Sequence, residues 1–174
     1  GCVDAVVTDP PFGIYDRGGK WGRKAELQWD RKPAEGILEI IAKAKYSIIW
    51  GGNYFALPPS RGWLVWYKRD SVPSAADAEL AWTSMDANTK LIDWTISATN
   101  PERVGHPTQK PLAVMRFSIQ QLPHDAKIIL DPFAGSGTTG LAAICEGRRA
   151  ILIEKEAKYV EIARMFSASS STQM

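Results

Sequence analysis

Apolar and polar positions follow two rhythms along this chain, and each change of rhythm marks an element. Val3-Asp4-Ala5-Val6-Val7 is a short β-branched run that leads to a carboxylate, Asp9. It reads as a buried strand whose C-terminal edge opens onto a site. Ile37, Leu38, Ile40 and Ile41 then recur at helical spacing within Glu35 to Lys45, after Pro33 as a helix-start signal. Tyr46 to Trp50 returns to a strand pattern and is stopped by Gly51-Gly52. Further strands are expected at Trp63 to Tyr67, Ala78 to Thr83 and Leu91 to Ser97. A helix over Leu112 to Leu122, with Pro111 near its first turn, leads to a strand at Lys127 to Leu130. Leu141 to Cys145 is helix-forming, Arg149 to Glu154 is a last strand, and Glu156 to Phe166 closes the domain as a helix with Tyr159, Ile162, Ala163 and Phe166 on one face. This mixture predicts an α/β sheet with helices on both sides. The strands after Trp63 lack intervening helices, which predicts an antiparallel edge.

Two strand ends carry candidate chemistry. After the first strand comes Thr8-Asp9-Pro10-Pro11-Phe12-Gly13. Successive prolines fix two φ angles and remove two backbone donors, so this backbone is stiff and can only accept hydrogen bonds. An acceptor side chain, a rigid acceptor carbonyl and the flat surface of Phe12 suit a planar ring bearing an amino group, such as adenine or cytosine. The same residues also suit a strand-ending turn without chemistry. The second strand end is Asp131-Pro132-Phe133-Ala134-Gly135-Ser136-Gly137-Thr138-Thr139-Gly140, a glycine-rich turn between strand and helix. Such an element lets the backbone approach a ligand and offers helix N–H groups to an anion. It is not a P-loop, because no lysine follows the last glycine, and it fits the dinucleotide fingerprint poorly. Glu154, at the end of the next strand, is placed to grip ribose hydroxyls.

Together with His106-Pro107-Thr108-Gln109-Lys110-Pro111, these segments give the chain its resemblance. It resembles the amino-group DNA methyltransferases of the permuted β class, from Val3 to about Met165. The resemblance implies a Rossmann-like S-adenosylmethionine-dependent methyltransferase fold with a mostly parallel sheet and a circularly permuted motif order. It implies methyl transfer from S-adenosyl-L-methionine to the exocyclic amine of a base in double-stranded DNA. Asp9, Pro10, Pro11 and Phe12 would be the catalytic motif. Asp131, Phe133, Ala134, Gly135, Ser136, Gly137, Thr138 and Glu154 would hold the cofactor, with Thr108 and Lys110 near its amino-acid carboxylate. Aspartate at the first motif position is the adenine-type pattern. N4-cytosine methylation is the alternative, and a non-catalytic DNA-binding module is the alternative from another class.

Composition adjusts this picture in a few places. The 174 residues suit one domain, and a formal net charge of +2 does not itself point to nucleic acid. The distribution is more telling: Arg17, Lys20, Arg23, Lys24 and Trp29 lie in a basic, glycine-containing stretch after the catalytic motif and are candidate DNA contacts. Neither cysteines nor histidines have metal-ligand spacing, so no metal is expected. Cys145, among alanines, is expected in the core. No leader or long apolar segment is evident, which makes cytoplasm the default and a membrane role unexpected. Residues 1–168 are expected to be one methyltransferase domain with a small target-recognition insert at 86–105 and a frayed tail over 169–174. Relatives carry an upstream strand with an adenine-contacting acid, so the domain is expected to be N-terminally incomplete. A homodimer and a cognate restriction endonuclease are the protein partners left open.

Overall fold

The structure is a computed structural model, and it describes residues 2–13, 32–73, 75–99, 101, 103 and 108–170. Its elements in chain order are β1 (Ala5–Thr8), α1 (Ile37–Ile41), β2 (Tyr46–Trp50), a 3-10 turn (Gly52–Tyr54), β3 (Trp63–Tyr67), β4 (Ala78–Thr83), β5 (Lys90–Asp93), α2 (Ile96–Thr99), α3 (Leu112–Gln121), β6 (Ile128–Asp131), α4 (Thr138–Cys145), β7 (Arg149–Leu152) and α5 (Ala157–Ser170). The strands form one sheet in the order β5-β3-β4-β2-β1-β6-β7. β1 is therefore interior, paired in parallel with β2 on one side and β6 on the other.

The expected mostly parallel sheet is present, but its antiparallel element is not the edge. β4 runs against both of its neighbours, β2 and β3, whereas the edge strand β5 is parallel to β3. β3 and β4 are joined through residues 68–77 without a helix, and the chain turns back there as an antiparallel pair. The chain lays down one half of the sheet from β1 outward, then crosses back through α3 to β6 on β1's other flank. The topological switch point thus falls between β1 and β6, where α/β sheets open a crevice at their strand C-termini.

Strand alternation divides the core in two. Ala5, Val7, Ile48, Trp50, Leu64 and Trp66 pack with Val114, Met115 and Ile119 of α3 and with Ala142 and Ala143 of α4. Val6, Ile49 and Trp82 face the other way, toward Ile37 of α1. Each strand's period of two sends successive side chains to opposite layers. β1, apolar at successive positions, is buried on both faces.

Several boundaries move for identifiable reasons. The strand expected through Ser97 stops at Asp93, because Asp70 accepts hydrogen bonds from the N–H groups of Ile96 and Ser97 and Thr95 caps that of Ala98. These caps start α2. α1 is shorter than its apolar spacing suggests, since the N–H groups of Lys45 and Tyr46 already turn to the Asp4 carbonyl. α5 extends to Ser170, past the expected end at Phe166 and into the expected tail. Cys145 is exposed at the end of α4 and is not a core residue. Within the span read as a recognition insert, residues 90–93 form β5 and residues 96–99 form α2, so its described part is built into the domain.

Candidate active site

Three parallel strands bring an acidic residue to the same edge: Asp9 just after β1, Asp131 at the end of β6, and Glu154 two residues beyond β7. The motif after β1 is held from below and behind. The Pro11 carbonyl accepts the N–H of Ala34 at 2.9 Å, and Phe12 forms a bridge with Pro33. The Phe12 ring stacks on Tyr54 with centroids 4.9 Å apart and planes 19° apart, and meets Phe55 edge-on at 6.4 Å. Gly51 makes this possible. Its φ is +67°, and a Cβ there would lie 2.0 Å from the Phe12 ring.

Asp9 is tied into a chain of alternating charge. Its Oδ2 accepts a hydrogen bond from Lys110 Nζ at 2.6 Å, and the same ammonium lies 2.8 Å from Glu79 Oε2. The other Glu79 oxygen accepts from Lys68. Lys110 is only 8% exposed and also sits 5.8 Å from the centroid of Phe12 and 5.5 Å from that of Trp50. Burial would push this ammonium to lose its proton, but the charges of Asp9 and Glu79 outweigh that and raise its pKa above the usual lysine range. Burial likewise pushes the Glu79 carboxyl up, yet Lys110 and Lys68 hold it at about 2. Glu79 and Lys110 are therefore both charged at neutral pH. Lys110 was expected at the amino-acid carboxylate of the cofactor. In the structure its ammonium is bonded to Asp9 and Glu79.

Asp131 has a contrasting environment. It is 2% exposed, and its Oδ1 accepts hydrogen bonds from Thr8 Oγ1 at 2.6 Å and from the Phe133 N–H at 3.0 Å. Its Oδ2 accepts from Thr139 Oγ1 at 2.5 Å. Burial raises its pKa to about 6, against the pull of these hydrogen bonds, and the charge of Asp9 adds to the rise. Asp131 was expected to touch the cofactor. In the structure its side chain joins the end of β1 and the first turn of α4 to its own strand.

The glycine loop keeps features of a cradle. Gly135 and Gly137 have φ of 52° and 82°, both left-handed, and Gly137 caps α4. Ser136 and Thr138 hydroxyls are hydrogen-bonded to each other at 3.0 Å. Glu154 accepts the Gly135 N–H at 2.7 Å on one oxygen and the Glu156 N–H at 2.8 Å on the other. Each carboxylate oxygen has two acceptor sites, so capacity for hydroxyl groups remains. Beside the loop lies a cavity of about 430 Å³ lined by Ala134, Leu152, Glu154, Val160, Ala163 and Arg164. Four apolar side chains with one carboxylate and one guanidinium fit the nucleoside part of S-adenosylmethionine in size and chemistry. Thr108 is exposed at the surface. Arg17, Lys20, Arg23, Lys24 and Trp29, together with His106 and Pro107, lie outside the described residues. Among the described residues no cluster of His, Cys, Asp or Glu could hold a metal ion, and no helix is long and apolar enough to cross a membrane.

With this geometry in place, similarity to known proteins becomes interpretable. The family profile of DNA methylases matches residues 61–165, well over half of the chain. The chain belongs to this DNA methylase family, and its sheet is the Rossmann-like one of S-adenosylmethionine-dependent DNA methyltransferases. It is 27% identical over 184 residues to the putative methylase YubD of Escherichia coli strain K12, covering 91% of this chain and 78% of YubD. It is 46% identical over 61 residues to the DNA adenine methyltransferase YhdJ of the same strain, covering 35% of this chain and 21% of YhdJ. Among solved structures, the M1.HpyAVI–SAM complex matches with a TM-score of 0.57 and 26% identity, over 94% of this chain and 88% of that one. The chain spans 40% and 52% of the length of two type II methyltransferases that it also matches.

Sequence reasoning did not single out Glu79, Lys68 or Tyr54. Glu79 sits in a strand that alternates like any other, and only the sheet order carries β4 and β3 to the Asp9 side. Tyr54 had one available signal, its position just after the Gly51-Gly52 stop.

Proposed function

We propose that this protein transfers a methyl group from S-adenosylmethionine to the N6 amine of adenine in double-stranded DNA. The observation that carries this reading is a partly exposed carboxylate, Asp9, salt-bridged to Lys110 and followed by a stacked aromatic pair, on the strand next to the one that leads into the glycine loop. When bound, S-adenosylmethionine supplies an electrophilic methyl group on a sulfonium. The chain's own residues have to present a weak nucleophile to it. The amine lone pair is delocalised into the base, and positive charge grows on the nitrogen as it reacts. Asp9 and the Pro10 carbonyl accept the two amine hydrogens, which fixes the nitrogen and stabilises that charge. Pro11 anchors the segment through Ala34, so the acceptors do not shift as charge develops.

Phe12, backed by Tyr54, stacks on the extruded base, a contact worth about 1–3 kcal/mol that offsets much of the unstacking. Glu154 accepts the ribose hydroxyls, and the backbone from Phe133 to Thr138, with Thr108, lies along the methionine end. Asp131 acts one step back by holding that loop. Arg17, Lys20, Arg23, Lys24 and Trp29 contact the duplex in this reading, and the reaction takes place in the cytoplasm of a bacterium or phage host. Incubation with methyl-labelled S-adenosylmethionine and mixed-sequence duplex DNA, followed by nucleoside analysis, tests it. N6-methyladenine is the expected product. N4-methylcytosine would transfer the reading to the other amine, and unmodified DNA would overturn it.

A further inference from the structure

We propose that Glu79 is a positioning residue for methyl transfer, acting on Asp9 through Lys110. This deepens the reading of the site as an amine methyltransferase and rests on it. The contacts form a run of alternating charges. Asp9 is partly exposed, Lys110 Nζ lies 2.6 Å from its Oδ2, Glu79 Oε2 lies 2.8 Å from the same ammonium, and Lys68 closes the run on the other Glu79 oxygen, so each charge is one contact further from Asp9. The groups come from four places in the chain: the end of β1, the approach to α3, β4, and the residue after β3. The sheet order that puts β4 two strands from β1 brings them together.

An ammonium hydrogen-bonded to the acceptor carboxylate presents a difficulty. It fixes the carboxylate's orientation, but its charge opposes the positive charge that develops on the attacking nitrogen. Coulomb interactions fall with distance, so a negative group nearest the amine, a positive one behind it and a negative one behind that leave a net negative field at the amine. Without the third charge the second cancels much of the first. Glu79 therefore lets Lys110 hold Asp9 without erasing Asp9's effect on the nitrogen. Lys68 serves Glu79 in turn, pinning the oxygen that does not face Lys110. The low exposure of Lys110 and the Phe12 and Trp50 rings around its ammonium keep water from screening the run.

The test is a double-mutant cycle on the whole chain, read as single-turnover methyl transfer to duplex DNA and as separate affinities for cofactor and DNA. Glu79→Gln keeps the shape and removes the charge. The transfer step should slow by about 10- to 100-fold, with both affinities within about twofold of wild type. In a Lys110→Met background, where there is no charge to neutralise, Glu79→Gln should have little further effect. A normal rate in Glu79→Gln, or an equal additional loss in the Lys110→Met background, overturns the proposal. Should Glu79→Gln fold poorly, Glu79→Asp, which keeps the charge on a shorter arm, is expected to transfer within about tenfold of wild type, and a loss of about 100-fold or more overturns the idea. Hydrogen exchange of the Lys110 ammonium, followed by nitrogen-resolved NMR, decides the coupling without any catalysis. Exchange should be slow in the wild type and faster in Glu79→Gln, and an unchanged rate contradicts the coupling. A wild-type chain that transfers no methyl group contradicts the functional reading instead.

Discussion

Asp9 and Asp131 end neighbouring parallel strands, and both open an Asp-Pro segment that reaches a phenylalanine and a glycine, yet their environments are opposite. Asp9 meets an ammonium and is partly exposed. Asp131 meets two hydroxyls and a backbone N–H and is sealed from solvent. One carboxylate is therefore salt-bridged and partly exposed, and the other is a buried hydrogen-bond hub whose pKa burial has raised. The difference lies in what distant segments deliver. Lys110 arrives from the approach to α3, whereas Thr139 comes from the helix that the glycine loop itself starts. The same local word can build a reactive site or a structural joint.

The sharpest way to break this division is Asp9→Ala. Losing the charged acceptor should reduce the transfer step by about 10³-fold while cofactor affinity changes by no more than about twofold. Near-normal turnover, measured in a single-turnover assay, would remove Asp9 from the chemistry. Gly135→Val attacks the other region. Its φ of 52° is strained for a branched residue, and its N–H must still reach Glu154. S-adenosylmethionine affinity should fall by roughly 100-fold with the fold retained, a loss of about 2.7 kcal/mol that calorimetry would register. Unchanged affinity would mean that the loop does not hold the cofactor.

Glu154→Gln should have a smaller effect. Both carboxylate oxygens accept backbone N–H groups, so an amide NH2 must face one of these donors, at Gly135 or Glu156. The loop should loosen, and cofactor affinity should drop by about tenfold. An affinity equal to wild type in the same calorimetric titration would separate Glu154 from the ribose.

Asp131→Asn gives the mildest and most diagnostic change, through pH. The folded pKa of about 6 lies above the roughly 3.9 of an unfolded aspartate, so the folded state holds this proton more tightly. Stability from this group is complete below about pH 4, falls as pH rises to about 6, and stays lower beyond; the loss is at most about 3 kcal/mol. Asparagine keeps an acceptor for Thr8 and Phe133, and the Thr139 hydroxyl can rotate to accept from the amide. Urea unfolding at pH 4.5 and pH 7 should show this slope in the wild type and a flatter one in Asp131→Asn. An identical slope in both would mean that Asp131 titrates like an exposed carboxyl.

Much of the fold was legible because it rests on local rules. The β-branched and aromatic runs of β1, β2 and β3 and the glycine break before α4 appear in the chain as they do in the sheet. What the sequence hid depends on long-range placement. Nothing near Leu91 to Ser97 signals that Asp70 will cap a helix there, and nothing in β4 signals that Glu79 will meet Lys110. The motif residues themselves were legible, but their division into a salt-bridged acceptor and a buried hub was not. Both are aspartates after apolar runs, and their partners lie 101 positions away for Asp9 and, on one oxygen, 123 positions away for Asp131.

The central claim is that the two aspartates divide the work, one acting on the amine and the other on the architecture. Single-turnover transfer of labelled methyl to duplex DNA, at saturating S-adenosylmethionine, compares Asp9→Asn with Asp131→Asn directly. Asp9→Asn should lose at least about 100-fold in the transfer step, and Asp131→Asn should stay within about tenfold of wild type. Equal losses in the two variants, or a larger loss in Asp131→Asn, would contradict the account.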